Sequence, residues 1–170
     1  MSEIFVVPHP LLRQKSKLLS RVTKEDINLS KKMIKIMKKA PGVGLAANQI
    51  GVLKQIVVVH IQDKEKEIEK IYTLYNPSII NYSKKKVIME EGCLSLPKQF
   101  AEIERPQSVI LRYTNESNKI VEEKKEDLEA RIVQHEIDHL SGKLFVDYLS
   151  SLKRNILIKK VQKLKKMGEI

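Results

Sequence analysis

A chain of 170 residues that is 42% apolar and 31% charged can bury a real core within one domain, and is too apolar for a disordered tail. Its apolar runs, such as residues 4–7 and 56–59, are a handful long, which excludes a membrane-spanning helix, and Pro8 and Pro10 would break a signal peptide. Cys93 is the single cysteine, so an internal disulfide is excluded; the formal charge of +11 favours anionic partners or, equally, describes a solvated lysine surface. The expectation is one domain over residues 1–170 in a reducing, cytosolic compartment.

In chain order, residues 8–17 carry a short turn-and-helix candidate, where His9 suits a local hydrogen bond better than a metal. Thr23, with Asp26 three residues on, is close to a capping box, and Ile27, Met33, Ile34 and Met37 keep helical spacing until Pro41 and Gly42. The stretch from Gly42 to Gln49, GVGLAANQ, imitates a dinucleotide-binding loop. That loop needs a strand before it and a helix after it, and here the order is reversed. Small residues in series instead let backbone approach a neighbouring strand or an extended ligand. Gln49, at the end of that wall, can aim its amide into a pocket or serve the structure alone.

Strands are expected at 55–60, with His60 as a polar strand end, at 71–76, at 79–82 after Pro77, and at 87–91, with 84–86 as a solvated turn. A hairpin is expected from 109–114 and 119–122 around 115–118. Residues 143–148 read as short and extended. From Ser150 a basic amphipathic helix turns Leu152, Ile156, Val161 and Leu164 inward and Lys153, Arg154, Lys159, Lys160, Lys163, Lys165 and Lys166 outward.

Between these lies QHEIDHLSG, residues 134–142, which contains HExxH as His135, Glu136 and His139. Histidines four apart on a helix leave the same face one turn apart, so both imidazoles can reach one ion, with Glu136 beside them to handle a proton of an activated water. Asp127 is a candidate N-cap, Glu129 suits the first turn, and Gly142 is a natural stop. Leu128, Ile132, His135 and His139 project into one stripe, while Ala130, Val133, Ile137 and Leu140 form a second apolar strip, the pattern of a buried helix. Two histidines meeting by accident is the alternative; with this composition, chance produces HExxH in about one such chain in a hundred.

A catalytic site of this type needs three protein ligands and one open position. The third could be any Asp, Glu, His or Cys. Cys93, in Glu91-Gly92-Cys93-Leu94-Ser95-Leu96-Pro97, is the best candidate, because it is the one cysteine, follows a strand, and has Gly92 before it to permit close approach. A buried small hydrophobe is its other reading.

GVGLAANQ, EGCLSLP and QHEIDH together resemble, in order and spacing, the three signature motifs of peptide deformylases, and the resemblance extends to PHPLLR at the start and KLFVDYLSSLKR near the end. It implies a bacterial, cytoplasmic enzyme that removes the N-formyl group from the N-terminal formylmethionine of nascent polypeptides and releases formate. It also implies an α+β fold in which antiparallel β-sheets surround the central HExxH helix, followed by the C-terminal amphipathic helix. Carried over by motif, Cys93, His135 and His139 would be the metal ligands, with Fe2+ the common ion in the cell and Zn2+, Ni2+ or Co2+ able to take its place. Glu136 would be the general acid and base. The Gln49 amide and the Leu94 backbone N–H would stabilise the oxyanion, and Gly44 and Gly92 would hold the extended peptide backbone. Val43, Leu128 and Ile132 would line the methionine pocket. Arg105 aligns with a family arginine near the substrate backbone, with a surface ion pair as its other reading. One departure is local: the metal helix opens Asp127-Leu128-Glu129-Ala130, where a Gly-Leu-Leu-Ala-like run is common, and this alters the pocket rim.

Two rivals remain at this level. An HExxH metallopeptidase would take its third ligand downstream as His or Glu. A basic RNA- or ribosome-binding module would close a structural metal with four protein groups, whereas three candidate ligands are visible. Docking of the C-terminal helix on ribosomal RNA is compatible with the enzyme reading, without a stable nucleic-acid complex or a membrane partner.

Overall fold

Thr23 and Asp26 cap the first helix as their spacing predicts: the Asp26 amide donates to the Thr23 hydroxyl, and the Thr23 amide donates to the Asp26 carboxylate at 2.9 Å. The computed structural model describes residues 4–63 and 67–170. In it this helix, α1, runs Lys24–Lys39 and buries Met33 and Met37. The strands β1 (Gly44–Ala46), β2 (Ile56–Asp63), β3 (Ile68–Tyr82), β6 (Ser108–Thr114) and β7 (Ile120–Glu126) pair antiparallel in the order β1-β2-β3-β6-β7. A second, two-stranded sheet joins β4 (Lys86–Cys93) to β5 (Leu96–Pro106). The HExxH helix is α2, Asp127–Leu140, and the last helix is α3, Ser151–Lys166.

The unbroken apolar run at the start of β2 has a simple cause. Side chains alternate across a strand. Ile56 and Val58 pack with α1 and Tyr75, while Val57 and Val59 pack with Ala130, Ile132 and Val133 of α2. Both faces of the strand are covered, so neither set of positions can be polar. A third apolar cluster, around Leu12, Leu96, Ile103, Phe145 and Val161, lies between β5 and α3. Among the described residues no helix is long and apolar enough to cross a membrane.

Several expectations are corrected by the structure. Residues 71–76 and 79–82 are not two strands but parts of β3, which passes through Pro77 by shifting register between Tyr75 and Ser78, with Asn76 at a φ of 50°. Such a bulge lets a strand bend and continue where proline cannot donate to the ladder. β5 was not expected at all. Its buried positions include Gln99 and Arg105 beside Leu96 and Ile103, so its alternation is invisible to a count of apolar residues. His60 lies within β2 rather than at its end, 3.0 Å from a Glu69 oxygen. Residues 143–148 are not extended: Phe145–Tyr148 is a 3-10 turn whose Asp147 carboxylate accepts from the Leu144 amide.

In α3 the inward stripe is Leu157, Ile158 and Val161, whereas Leu152 and Ile156 are 70% and 44% exposed. Apolar residues cover more than one face of this helix, so the pattern allowed two phases, and packing on the third cluster chose between them. Asp127 does not act as the side-chain cap of α2. Glu126 holds the cap position, and Asp127, at a φ of 50°, instead accepts from the Gln107 amide side chain at 2.9 Å. At the other end Gly142 takes a φ of 74°, where any Cβ would collide with the Arg13 carbonyl, so the helix stops there.

Candidate functional site

Helical spacing brings the His135 and His139 rings to 5.1 Å between centroids, both buried on α2. The last residue of β4, Cys93, meets them: its sulfur is 3.3 Å from His139 Nε2, and one ligand atom from each of the three residues lies within 4.8 Å of the others. Among the described residues this is the one cluster of metal-ligating side chains. His9 accepts from the Leu11 amide and takes no part.

The donor set fits a divalent ion in its details as well as its spacing. The Nδ1 of His135 is 2.9 Å from a Glu91 carboxylate oxygen, which assigns the ring proton to Nδ1 and leaves Nε2 with a free lone pair. Burial, and after it the charge of His135, holds His139 well below the ordinary histidine range, in the neutral form that ligates. Burial also opposes charge on His135, but its contacts with Cys93 and Glu91 outweigh that and raise it, so ion binding here competes with a proton. A thiolate and two imidazoles suit iron, zinc, nickel or cobalt.

Glu136 faces the same space. It is buried, its Oε2 has no partner, and burial pushes its carboxyl up to about 7. Gly44 is the reason it fits, because a Cβ at that position would strike the Glu136 carboxylate. The GVGLAANQ stretch is tied to the helix at a second point, where Asn48 Nδ2 donates to the His139 carbonyl at 2.6 Å. Gln49 is buried with its Oε1 accepting from the Ala46 amide at 2.9 Å and its Nε2 3.8 Å from the Cys93 sulfur.

A cavity of about 550 Å³ opens above these groups. Val43, Leu128 and Ile132 line it, as do Gly44, Gln49, Gly92, Leu94, His135 and Glu136. Its volume falls within the roughly 300–1,000 Å³ of small-ligand pockets, more than one methionine side chain would fill. The Glu129 departure leaves this lining alone. Glu129 turns to the sheet side, where it accepts from Tyr72 at 2.6 Å, Lys125 at 2.9 Å and Lys70 at 3.2 Å.

Arg105 is neither at the surface nor in the cavity lining. Its guanidinium is buried, gripping both Glu91 oxygens at 2.5 and 3.0 Å and bonding Asp138 and the Tyr148 hydroxyl. Arg131 bonds the same Glu91 at 2.7 Å and the carbonyls of Ile103 and Val87. Glu91 thus joins two arginines and a candidate ligand, locking β4 and β5 to α2. Sequence reasoning missed Glu91, Arg131 and Asp138. The available signal was Arg131 itself, a cation in a helix read as apolar on two sides, which must have a buried partner.

Burial would raise Glu91, but hydrogen bonds from His135 and Arg105 overrule it and hold its pKa at about 2. A carboxylate lowered in this way stabilises the fold above its ordinary range, and that stability is lost as pH falls from 4.5 towards 2. Glu91→Gln leaves Arg131 buried without its acidic partner and Arg105 with Asp138 alone. It is expected to lower unfolding free energy by about 3–5 kcal/mol in urea titrations at pH 7, and to flatten the acid limb of the stability profile.

Comparison with known proteins agrees with this geometry. Residues 1–155 match the sequence model of the polypeptide deformylase family. The peptide deformylase of Phenylobacterium zucineum is 47% identical over 161 residues, covering 95% of each chain. The crystal structure of peptide deformylase from Ehrlichia chaffeensis superposes with a TM-score of 0.93 at 35% identity, covering 98% of both chains. The class I type b peptide deformylase of Acinetobacter baumannii, solved with Met-Ala-Ser bound, superposes at 0.80 and 29% identity over 86% of this chain and 96% of its own. With its fold and nearly its whole length in agreement with these proteins, the chain belongs to the polypeptide deformylase family.

Proposed function

We propose that residues 1–170 act as one catalytic unit that removes the N-formyl group from the N-terminal formylmethionine of nascent polypeptides in the bacterial cytoplasm, releasing formate. The observation that carries the reading is a three-donor cluster at the floor of a cavity, with an unpartnered buried carboxylate beside it. Cys93, His135 and His139 hold one divalent ion, Fe2+ in the cell, with Zn2+, Ni2+ or Co2+ as replacements in purified protein. When bound, such an ion acidifies water at its open position and polarises the formyl carbonyl.

The chain's own groups do the rest. Glu136, with its carboxyl near 7, takes the proton of the attacking water and returns it to the leaving amine. The Gln49 amide and the Leu94 N–H donate to the oxygen as the formyl carbon becomes tetrahedral. Val43, Leu128 and Ile132 receive the methionine side chain, and backbone at Gly44 and Gly92 pairs with the extended peptide. Arg105 acts at one remove, by fixing Glu91. The Acinetobacter relative, solved with a peptide that begins with methionine, supports this class of ligand.

The test is formate release from a formyl-methionyl peptide by protein loaded with iron without oxygen. Turnover is expected; cleavage of internal peptide bonds without formate release would favour the metallopeptidase reading instead. Contact with the ribosome is proposed through α3. Its lysines at 153, 159, 160 and 163 are exposed, whereas Val161 is buried in the core and Leu157 and Ile158 pack against it. Substitution of those four lysines by glutamate is therefore expected to weaken ribosome co-sedimentation while sparing formate release; unchanged co-sedimentation would remove the docking role.

A further inference from the structure

We propose that Ser95 is a positioning residue for the Gln49 amide, an inference that rests on the deformylation reading above. Gln49 is 1% exposed, so the atoms of its amide depend on partners within the protein. Oε1 accepts from the Ala46 N–H at 2.9 Å, which fixes the oxygen end of the group. Nε2 has two hydrogens. One donates to Ser95 Oγ at 3.0 Å, and the other is left facing the Cys93 sulfur at 3.8 Å, a long contact that keeps it available to a substrate oxygen. The terminal torsion of a glutamine is broad, so two bonds hold this amide and removal of either frees a rotor.

Ser95 is placed for the task by its own anchors. It is fully buried, its N–H donates to the Cys93 sulfur at 3.4 Å, and its carbonyl accepts from the Val7 N–H at 3.0 Å. Two residues earlier, the Phe5 N–H donates to the Gln49 carbonyl at 2.7 Å. One short stretch of chain therefore sets the spacing between the two loops that meet at the amide. The hydroxyl is the element that turns this spacing into a direction.

The experiment uses the cobalt-loaded enzyme and steady-state formate release. Ser95→Ala is expected to lower kcat about tenfold with KM nearly unchanged, since the lost alignment matters in the transition state and not in substrate binding. The visible cobalt absorption should stay as in wild type, because the Ser95 N–H to sulfur remains. In a Gln49→Ala background the same change should have less than about a twofold effect, as expected of two residues acting through one bond. An equal loss in both backgrounds, or a shifted cobalt spectrum, overturns the proposal. A Gln49→Ala enzyme as fast as wild type overturns it together with the oxyanion role of Gln49, and a wild-type enzyme that releases no formate identifies failure of the deformylase reading itself. If Ser95→Ala does not fold, Ser95→Cys, which keeps the shape but accepts a hydrogen bond weakly, takes its place in the same comparison.

Discussion

Glu136→Ala protein is expected to keep its metal and to release formate ~10²–10⁴-fold more slowly, the loss typical of a general acid–base group. The ligands are the neighbours of Glu136 and not Glu136 itself, so elemental analysis should find one ion per chain in both proteins. The carboxylate is costly where it stands, being buried with one oxygen unpartnered. A group held in so unfavourable a place contributes little to folding, and the variant should melt no lower than wild type. Glu136→Gln is the stricter form of the experiment, since it keeps the contact with Gly44 and removes only the proton acceptor. Wild-type turnover by either variant would refute the assigned role. With the carboxyl near 7, activity in the wild type should rise with pH through neutrality as the basic form is populated.

The second large effect is expected at Cys93. Cys93→Ala should abolish stoichiometric metal binding, because two imidazoles alone leave the ion without its one anionic donor. The loss should exceed the ~10–100-fold seen when a hydrogen-bonded neighbour of a ligand is removed. Equilibrium dialysis against cobalt, followed by its visible absorption, reads both affinity and the disappearance of thiolate-to-metal charge transfer. Full-strength binding by the variant would return Cys93 to the role of a small core residue and point to a ligand set completed elsewhere. Folding should survive, since sulfur is a weak hydrogen-bond partner for Gln49, Ser95 and His139.

Much of the site could be read before the fold, because its logic is local. Helical period alone predicted that Leu128 and Ile132 share a face with His135, and all three line the cavity. The capping box at Thr23 and Asp26 and the hairpin closed by residues 115–118 rest on the same short-range rules. What escaped were features whose cause lies far away in the chain. β5 hides its inward face behind Gln99 and Arg105, and Arg105 is inside because Glu91 and its neighbours receive it there. The phase of α3 was fixed by a cluster contributed from Leu12, Leu96 and Phe145, so its own pattern left the choice open. Pro77 stopped an expected strand that in fact bends and goes on, because Asn76 supplies the left-handed turn and anchors Leu19 through both side-chain atoms.

The coverage of β2 on both faces has a consequence for how the molecule moves. The wall of the cavity formed by β1 leans on this doubly covered strand, whereas Cys93 rides on a separate hairpin joined to α2 through the side chains of Glu91, Arg105 and Arg131. An ion shared by Cys93 and the two histidines is then also a stitch between the two-stranded hairpin and the helix that packs on the larger sheet. Amide protons of the hairpin should exchange more slowly in metal-loaded protein, while those of β2 stay equally slow with or without it.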